Sequence, residues 1–197
     1  MKDGKAFRTG NVDDCTYGEF VVLFAACEEQ CKRDLIKRYE HAARPSRLCG
    51  KEVPENLHVI SYGCLEDLRN ADESKDPIAE SARILLGITL DDLLKENVVS
   101  VLGFKNFVAS ELKTINDAFK AIKIRHTSEE VAAGIDQLNF GPFGVLDWYA
   151  KRMGMTNQND VREVAWVRIY NCMKMDNEQM MYERRLHDEY VKRAKTK

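Results

Sequence analysis

The chain has 197 residues, of which 44% are hydrophobic and 31% are charged, a balance typical of one globular domain or two small ones. Its 30 basic and 32 acidic residues are scattered and give a formal net charge of -2, so no global field attracts nucleic acid or an anionic membrane. No apolar run approaches the roughly 20 residues that cross a bilayer, and the N-terminal residues lack the apolar core of a signal peptide. We therefore expect a cytoplasmic protein that has no membrane partner. The scattered charges also lead us to expect no nucleic-acid partner.

The N-terminal segment divides into an arm and a helix. Residues 1–15 are polar and contain two glycines, which predicts a flexible arm. Thr16 and Glu19 have the spacing of a capping box, and apolar residues then recur at intervals of three and four through Leu35. We therefore predict one helix from Thr16 to about His41. Pro45 follows, and the segment up to residue 54 is predicted to be a linker.

One type of helix start occurs three times, at Thr16, Ser61 and Asn139. Each copy has a small polar residue, an aromatic residue, glycine, any residue, a large apolar residue, two free positions and leucine. A small polar side chain at this place accepts a hydrogen bond from the first turn of a helix, so each copy predicts a capped helix. The uneven spacing argues against a regular solenoid and leaves open whether the copies are true repeats.

The middle of the chain continues as short helices. Pro77 suits the first turn of a helix that Gly87 ends, and Thr89 caps another. The longest apolar stripe of this part follows, and Gly103 within it indicates either a break or a close helix contact. We predict that residues 16–125 form an N-terminal helical domain.

The last part of the chain is predicted to form a second helical domain, residues 126–197. Thr127 and Glu130 make a second capping box, and the helix that starts near Asn139 ends at Gly154. A connector then leads into an apolar helix, and a separate charged helix is predicted after Met175. The predicted fold class is all-α, a multi-helix bundle of short to medium amphipathic helices in one or two subdomains.

No local signature of catalysis occurs in the sequence. A phosphate-binding loop, a dinucleotide fingerprint, a nucleophile elbow and a His-Glu-x-x-His motif are all absent, and the four histidines are scattered. We therefore predict a protein that is not an enzyme and that has no catalytic residue, cofactor or metal. The alternative is a metal-dependent enzyme with ligands from Cys27, Cys31, His41 and Cys49, although this spacing does not match the usual zinc sites.

Aromatic and methionine side chains concentrate in the final third of the chain. Such residues dominate binding hot spots and adaptable interfaces, and they are equally suited to a core. Our candidates for packing or partner contact are Trp148, Trp166, Tyr170, Met180 and Tyr182.

A family resemblance rests on four segments of the C-terminal part. They are Thr127-Ser128-Glu129-Glu130, Ala133-Gly134-Ile135-Asp136 with Asn139-Phe140-Gly141-Pro142-Phe143-Gly144, Asp147-Trp148-Tyr149-Ala150, and Tyr182-Glu183-Arg184-Arg185-Leu186. Over about residues 127–186 the chain resembles the small helical tail-assembly chaperones and related morphogenesis proteins of bacteriophages. The resemblance implies a non-enzymatic assembly factor whose partner is the tape-measure protein or another virion protein, located in the host cytoplasm. The alternative is a self-assembling structural component of the virion, such as a helical connector or ring protein.

Overall fold

The computed structural model describes residues 11–122 and 126–195, and of Asp136 only the backbone. Its α-helices are α1 (Tyr17–Ala26), α2 (Glu29–Tyr39), α3 (Tyr62–Asn70), α4 (Pro77–Leu86), α5 (Leu90–Leu93), α6 (Val98–Ala121), α7 (Ser128–Ala132), α8 (Gly141–Met153) and α9 (Trp166–Lys195). Short 3-10 helices lie at Val12–Asp14, Ala71–Glu73, Ile135–Gln137 and Gln158–Glu163. Within the described ranges, the only sheet is an antiparallel pair of two-residue strands, β1 (Arg47–Leu48) and β2 (Lys51–Glu52). The predicted all-α fold class is therefore confirmed.

The chain divides into two compact units. Of the residues that the structure describes, the first unit comprises 11–56 and 67–113, and the second comprises 57–66, 114–122 and 126–195. Of the predicted arm, residues 1–10 lie outside the described residues, as does the predicted domain boundary at residue 125. In the part of the chain that the structure describes, no helix has both the length and the apolar character needed to cross a bilayer.

In the first unit, the predicted capping box is present at the start of α1. The Thr16 hydroxyl accepts a hydrogen bond from the Glu19 N–H at 3.3 Å, and the Thr16 N–H donates to the Glu19 carboxylate at 3.0 Å. The single helix that we predicted as far as about His41 is instead two helices, because Cys27 and Glu28 have extended backbones.

Tertiary packing explains this break. The rings of Phe20 and Tyr39 meet edge to face, with 5.7 Å between their centroids. In one continuous helix these residues would be about 28 Å apart, given the rise of 1.5 Å per residue. The apolar spacing continues through the break, so periodicity alone gives no sign of it.

Helix α6 is continuous through Gly103, where the sequence left open a break or a close contact. A Cβ atom built on Gly103 would lie 2.1 Å from the carbonyl oxygen of Ala43, so the glycine permits a close backbone approach. The buried apolar residues of the first unit are Tyr17, Phe20, Leu35, Tyr39, Leu48, Val53, Leu68, Ala71, Ala82, Ile88, Leu93, Val98, Val101, Leu102, Phe104, Phe107 and Val108.

The segment predicted as a linker contains the small hairpin. Cys49 and Gly50 form its turn with positive φ angles of 46° and 76°. The Cys49 N–H donates to the Glu96 carboxylate at 2.7 Å, which helps to hold a non-glycine residue in this conformation. The turn is therefore fixed by a partner 47 residues further along the chain.

The second unit is built around α8 and α9. An isolated antiparallel bridge joins Ser61 to Ala165 immediately before α9 begins. Helix α9 then runs for 30 residues without the interruption that we predicted near Met175, and the connector before it forms a 3-10 helix. The buried apolar residues of this unit are Leu57, Tyr62, Leu65, Ile115, Leu146, Tyr149, Ala150, Val161, Trp166 and Ile169.

Candidate interaction groove

An apolar groove of about 510 Å³ opens in the second unit. Each of its two walls is one helix face with residues spaced i, i+3, i+4 and i+7. The α8 wall consists of Gly141, Gly144, Val145 and Trp148, and the α9 wall consists of Met173, Asp176, Asn177 and Met180. Ile122, Leu138, Asn139 and Phe140 complete the lining. We call this set of twelve residues the α8–α9 groove.

Two of the four residues in the α8 wall are glycines. Gly141 has a φ of +54°, a conformation that L side chains rarely adopt, and its N–H donates to the Asn139 side-chain oxygen at 2.9 Å. A Cβ atom on Gly144 would lie 2.7 Å from the Cβ of Phe140, closer than side-chain carbons pack. The α8 face thus lacks side chains at two of its four positions, and this leaves room between the helices.

Some apolar side chains of the groove lining are largely exposed to solvent. Phe140 is 71% exposed, and Leu138 beside it is also exposed. Phe143, which is 60% exposed, lies on the same segment but does not line the groove. Three apolar side chains of this short segment are therefore largely exposed to solvent.

Charged groups near the groove are paired. Asp176 contacts the Arg152 guanidinium at 2.9 Å, and the Lys151 ammonium donates to Asp147 at 2.6 Å. The hydrogen bond from Lys151 lowers the pKa of the Asp147 carboxyl below its usual value. Among the twelve described lining residues, Asp176 is the only ionisable one, so the groove is suited to hold apolar side chains.

The structure distributes the five predicted contact residues over three environments. Trp148 and Met180 line the groove, on α8 and α9 respectively. Trp166 is 5% exposed and belongs to the core, where Tyr170 packs beside it at 6.2 Å between ring centroids. Tyr182 is 56% exposed and lies on α9 beyond the groove.

Trp166 is held by both packing and a hydrogen bond. Its indole Nε1–H donates to the carbonyl oxygen of Leu57 at 2.7 Å in a buried environment. The Phe119 ring lies 6.0 Å from Trp166 and 5.4 Å from Tyr170, between ring centroids. Trp166 and Tyr170 therefore anchor α9 within the second unit, the packing alternative that the sequence left open for them.

The five predicted contact residues do not include several residues of the groove, among them Leu138, Phe140 and Met173. Phe140 and Gly144 are interpreted from the sequence as parts of a helix start and of the family resemblance, and not as contact residues. The spacing of Met173 and Met180 was a usable signal, because these residues share one helix face. The position of the α8 wall opposite this face could not be inferred, because it requires the packing of α8 against α9.

A second cavity, of about 790 Å³, lies in the first unit. Its lining includes Phe20 and Phe24 of α1, Ile36 of α2, and the basic residues Arg33 and Lys37. The described residues contain no group of three or more His, Cys, Asp or Glu side chains that could hold a metal ion.

No protein-family model, curated protein or solved structure matches this chain.

Proposed function

We propose that the protein is a non-enzymatic interaction and assembly factor, and that its α8–α9 groove binds an amphipathic helix of another protein. The observation that carries the proposal is the apolar groove itself, with Phe140 71% exposed at its end. Burying such a surface removes apolar area from water, which is the main driving force of protein association.

The geometry of the walls favours a helical occupant. Each wall spans eight residues, and the seven steps between them cover about 10 Å along the helix. A third helix that places apolar side chains at i, i+3 or i+4, and i+7 matches this length with two turns. Met173 and Met180 adapt their shape to different side chains, so the groove accepts a range of apolar sequences.

The resemblance to phage morphogenesis proteins suggests the identity of this partner. The segments that carry the resemblance include Phe140, Gly141, Gly144 and Trp148, all of which line the groove. Tail-assembly chaperones bind the tape-measure protein, so a helical segment of a tape-measure protein is the partner we propose, met in the host cytoplasm.

The second candidate function is a structural component of the virion. It is favoured by exposed apolar residues on the last part of α9, where Tyr182, Leu186 and Tyr190 occur at intervals of four. This spacing lets two copies of the helix pack along a common stripe. The protein would then self-assemble and remain in the particle at a fixed ratio.

The test is affinity capture from the native lysate with three forms of the protein, followed by cross-linking and mass spectrometry. The wild type and Phe143→Ser should capture the same partner, whereas Phe140→Ser should lose it. Cross-links should join α8 and α9 to an amphipathic helical segment of that partner. A partner that Phe140→Ser retains would refute the groove as the binding site, and recovery of the chain from purified particles at fixed stoichiometry would favour the structural component.

A further inference from the structure

Two cysteines meet at the junction of α1 and α2. Cys27 follows the last residue of α1, and Cys31 lies in the first turn of α2. The Cys31 thiol donates a hydrogen bond to the Cys27 sulfur, and the two sulfur atoms are 2.7 Å apart. Both are free thiols in this structure.

The two sulfur atoms are close enough that a disulfide needs only a small movement of the side chains. Cys27 has an extended backbone, with φ -73° and ψ 146°, at the end of α1, and its sulfur contacts that of Cys31 in the first turn of α2. A disulfide requires a separation of about 2.05 Å, so the sulfurs need to approach by less than an ångström. Cys31 is exposed and Cys27 is half-buried, so a small oxidant reaches the pair from solvent.

The geometry points to a modification site: Cys27 and Cys31 form a reversible disulfide that clamps the α1–α2 junction, with a low-molecular-weight disulfide of the glutathione type as the oxidant. One cysteine thiolate attacks a sulfur of the oxidant, forms a mixed disulfide and releases one glutathione thiolate. The second cysteine attacks the mixed disulfide at the protein sulfur and releases the second glutathione. The two protein thiols are oxidised, the glutathione disulfide is reduced to two thiols, and the two protons pass from the cysteines to the released thiolates.

The Cys31 thiol is predominantly protonated at neutral pH. The hydrogen bond to Cys27 raises the pKa of the Cys31 thiol. Because the thiolate is the attacking form, the exchange should accelerate as the pH is raised. Cys49 differs from the pair, since burial raises the pKa of its thiol to about 11.

A disulfide between Cys27 and Cys31 restrains the two helices that line the cavity of the first unit. Phe24 of α1 and Ile36 of α2 both line it, and the cysteines sit at the turn that joins these helices. The disulfide removes the freedom of that turn. Exposed disulfides of this kind are the labile ones that ordinary cellular thiols reduce again.

The sequence allows a direct test by peptide mapping. The purified full chain is equilibrated with oxidised glutathione, the remaining thiols are alkylated, and the protein is digested with a protease that cleaves after glutamate. Cleavage after Glu19, Glu28, Glu29 and Glu40 places Cys15, Cys27 and Cys31 on separate fragments. The fragments that begin at Phe20 and Gln30 then stay together only through a Cys27–Cys31 disulfide.

We expect this linked pair of fragments, lighter by two hydrogen atoms than the two thiol fragments, and its loss on treatment with dithiothreitol. Cys31→Ser should abolish it, and Cys64→Ser should leave it unchanged; far-ultraviolet circular dichroism checks that both variants are folded. Complete alkylation of both thiols, a stable glutathione adduct on Cys31, or a bond from either cysteine to a different one would each overturn the assignment.

Discussion

Asp13 joins the first described residues of the chain to α2. Two hydrogen bonds from the Arg38 guanidinium, at 2.7 and 3.1 Å, reach its carboxylate, and the Tyr39 hydroxyl donates a third at 2.8 Å. The Arg38 hydrogen bond is the largest cause that lowers the pKa of Asp13 from 3.8 to about 2. The charged form of Asp13 is therefore the one that the fold prefers.

This preference predicts a pH-dependent contribution to stability. A carboxyl with a lowered pKa in the folded state stabilises the fold above its unfolded pKa, and the contribution is lost as the pH falls toward the folded pKa. The difference in unfolding free energy between the wild type and Asp13→Asn should thus be present at about pH 5 and shrink between about pH 4 and pH 2. It should be modest, because the Asp13 and Arg38 side chains are 36% and 48% exposed.

Urea unfolding at several pH values measures this difference. Asp14→Asn removes the same charge one residue away and is the matched control for the loss of a negative charge alone. A constant difference between wild type and Asp13→Asn over the whole acid range would contradict the role given to Asp13.

Gly103 is a second residue whose identity is set by a neighbour. The Ala43 carbonyl oxygen would lie 2.1 Å from an added Cβ, and because it belongs to the backbone it cannot move aside like a flexible side chain. Gly103→Ala should therefore destabilise the first unit by about 1–3 kcal/mol, despite the higher helix propensity of alanine.

Chemical denaturation of Gly103→Ala beside Ser100→Ala separates the two effects. Ser100 lies on the same helix and its replacement changes propensity without the Ala43 contact, so this control should stay within about 0.5 kcal/mol of the wild type. Equal stability of the two variants would mean that the close approach is not present in solution.

At the scale of elements, Trp166 holds the start of α9 against the rest of the second unit through ring packing and a hydrogen bond. Because it is buried and donates to Leu57, Trp166→Ala should destabilise the second unit by about 3–5 kcal/mol. Tyr182 lies on the same helix and is 56% exposed, so Tyr182→Ala should change stability by no more than about 0.5 kcal/mol. Denaturant unfolding followed by circular dichroism compares them, and a Trp166→Ala protein as stable as Tyr182→Ala would contradict this packing.

Elements with a local cause were predictable from the sequence. The capping boxes at Thr16 and Thr127 are present, and Gly87 and Gly154 end their helices in left-handed conformations. The break at Cys27 was not predictable, because it results from the contact between Phe20 and a residue 19 positions away. Long-range packing overrides a local pattern whenever both arrangements keep the same apolar face buried.

For α9 the prediction was wrong in the opposite sense, because two helices were predicted and one continuous helix is present. The charged composition after Met175 suggested a separate helix, yet a change from apolar to charged residues alters only the environment of a helix. No proline or glycine interrupts residues 166–195, so the backbone has no local reason to stop. Composition predicted where α9 becomes exposed and wrongly suggested that it ends.

At the scale of the whole molecule, the groove depends on two elements that are adjacent only in the folded second unit. Trp148 and Met180 were identified from the sequence as contact residues, since both are of types that occur at interfaces. Their position in one groove could not be predicted, because it requires the packing of α8 against α9. Gly141 and Gly144 line the groove with backbone rather than side chains.

The most direct test of the proposed function is the affinity of the captured helical segment for Phe140→Ser, measured by isothermal titration calorimetry. The control is Phe143→Ser, which removes another largely exposed ring from the same segment outside the groove. For a residue at a binding hot spot we expect the Kd of Phe140→Ser to rise at least about tenfold, and that of Phe143→Ser to stay within about twofold of the wild type. Equal affinities of the two variants, both folded, would contradict the groove as the site of partner binding.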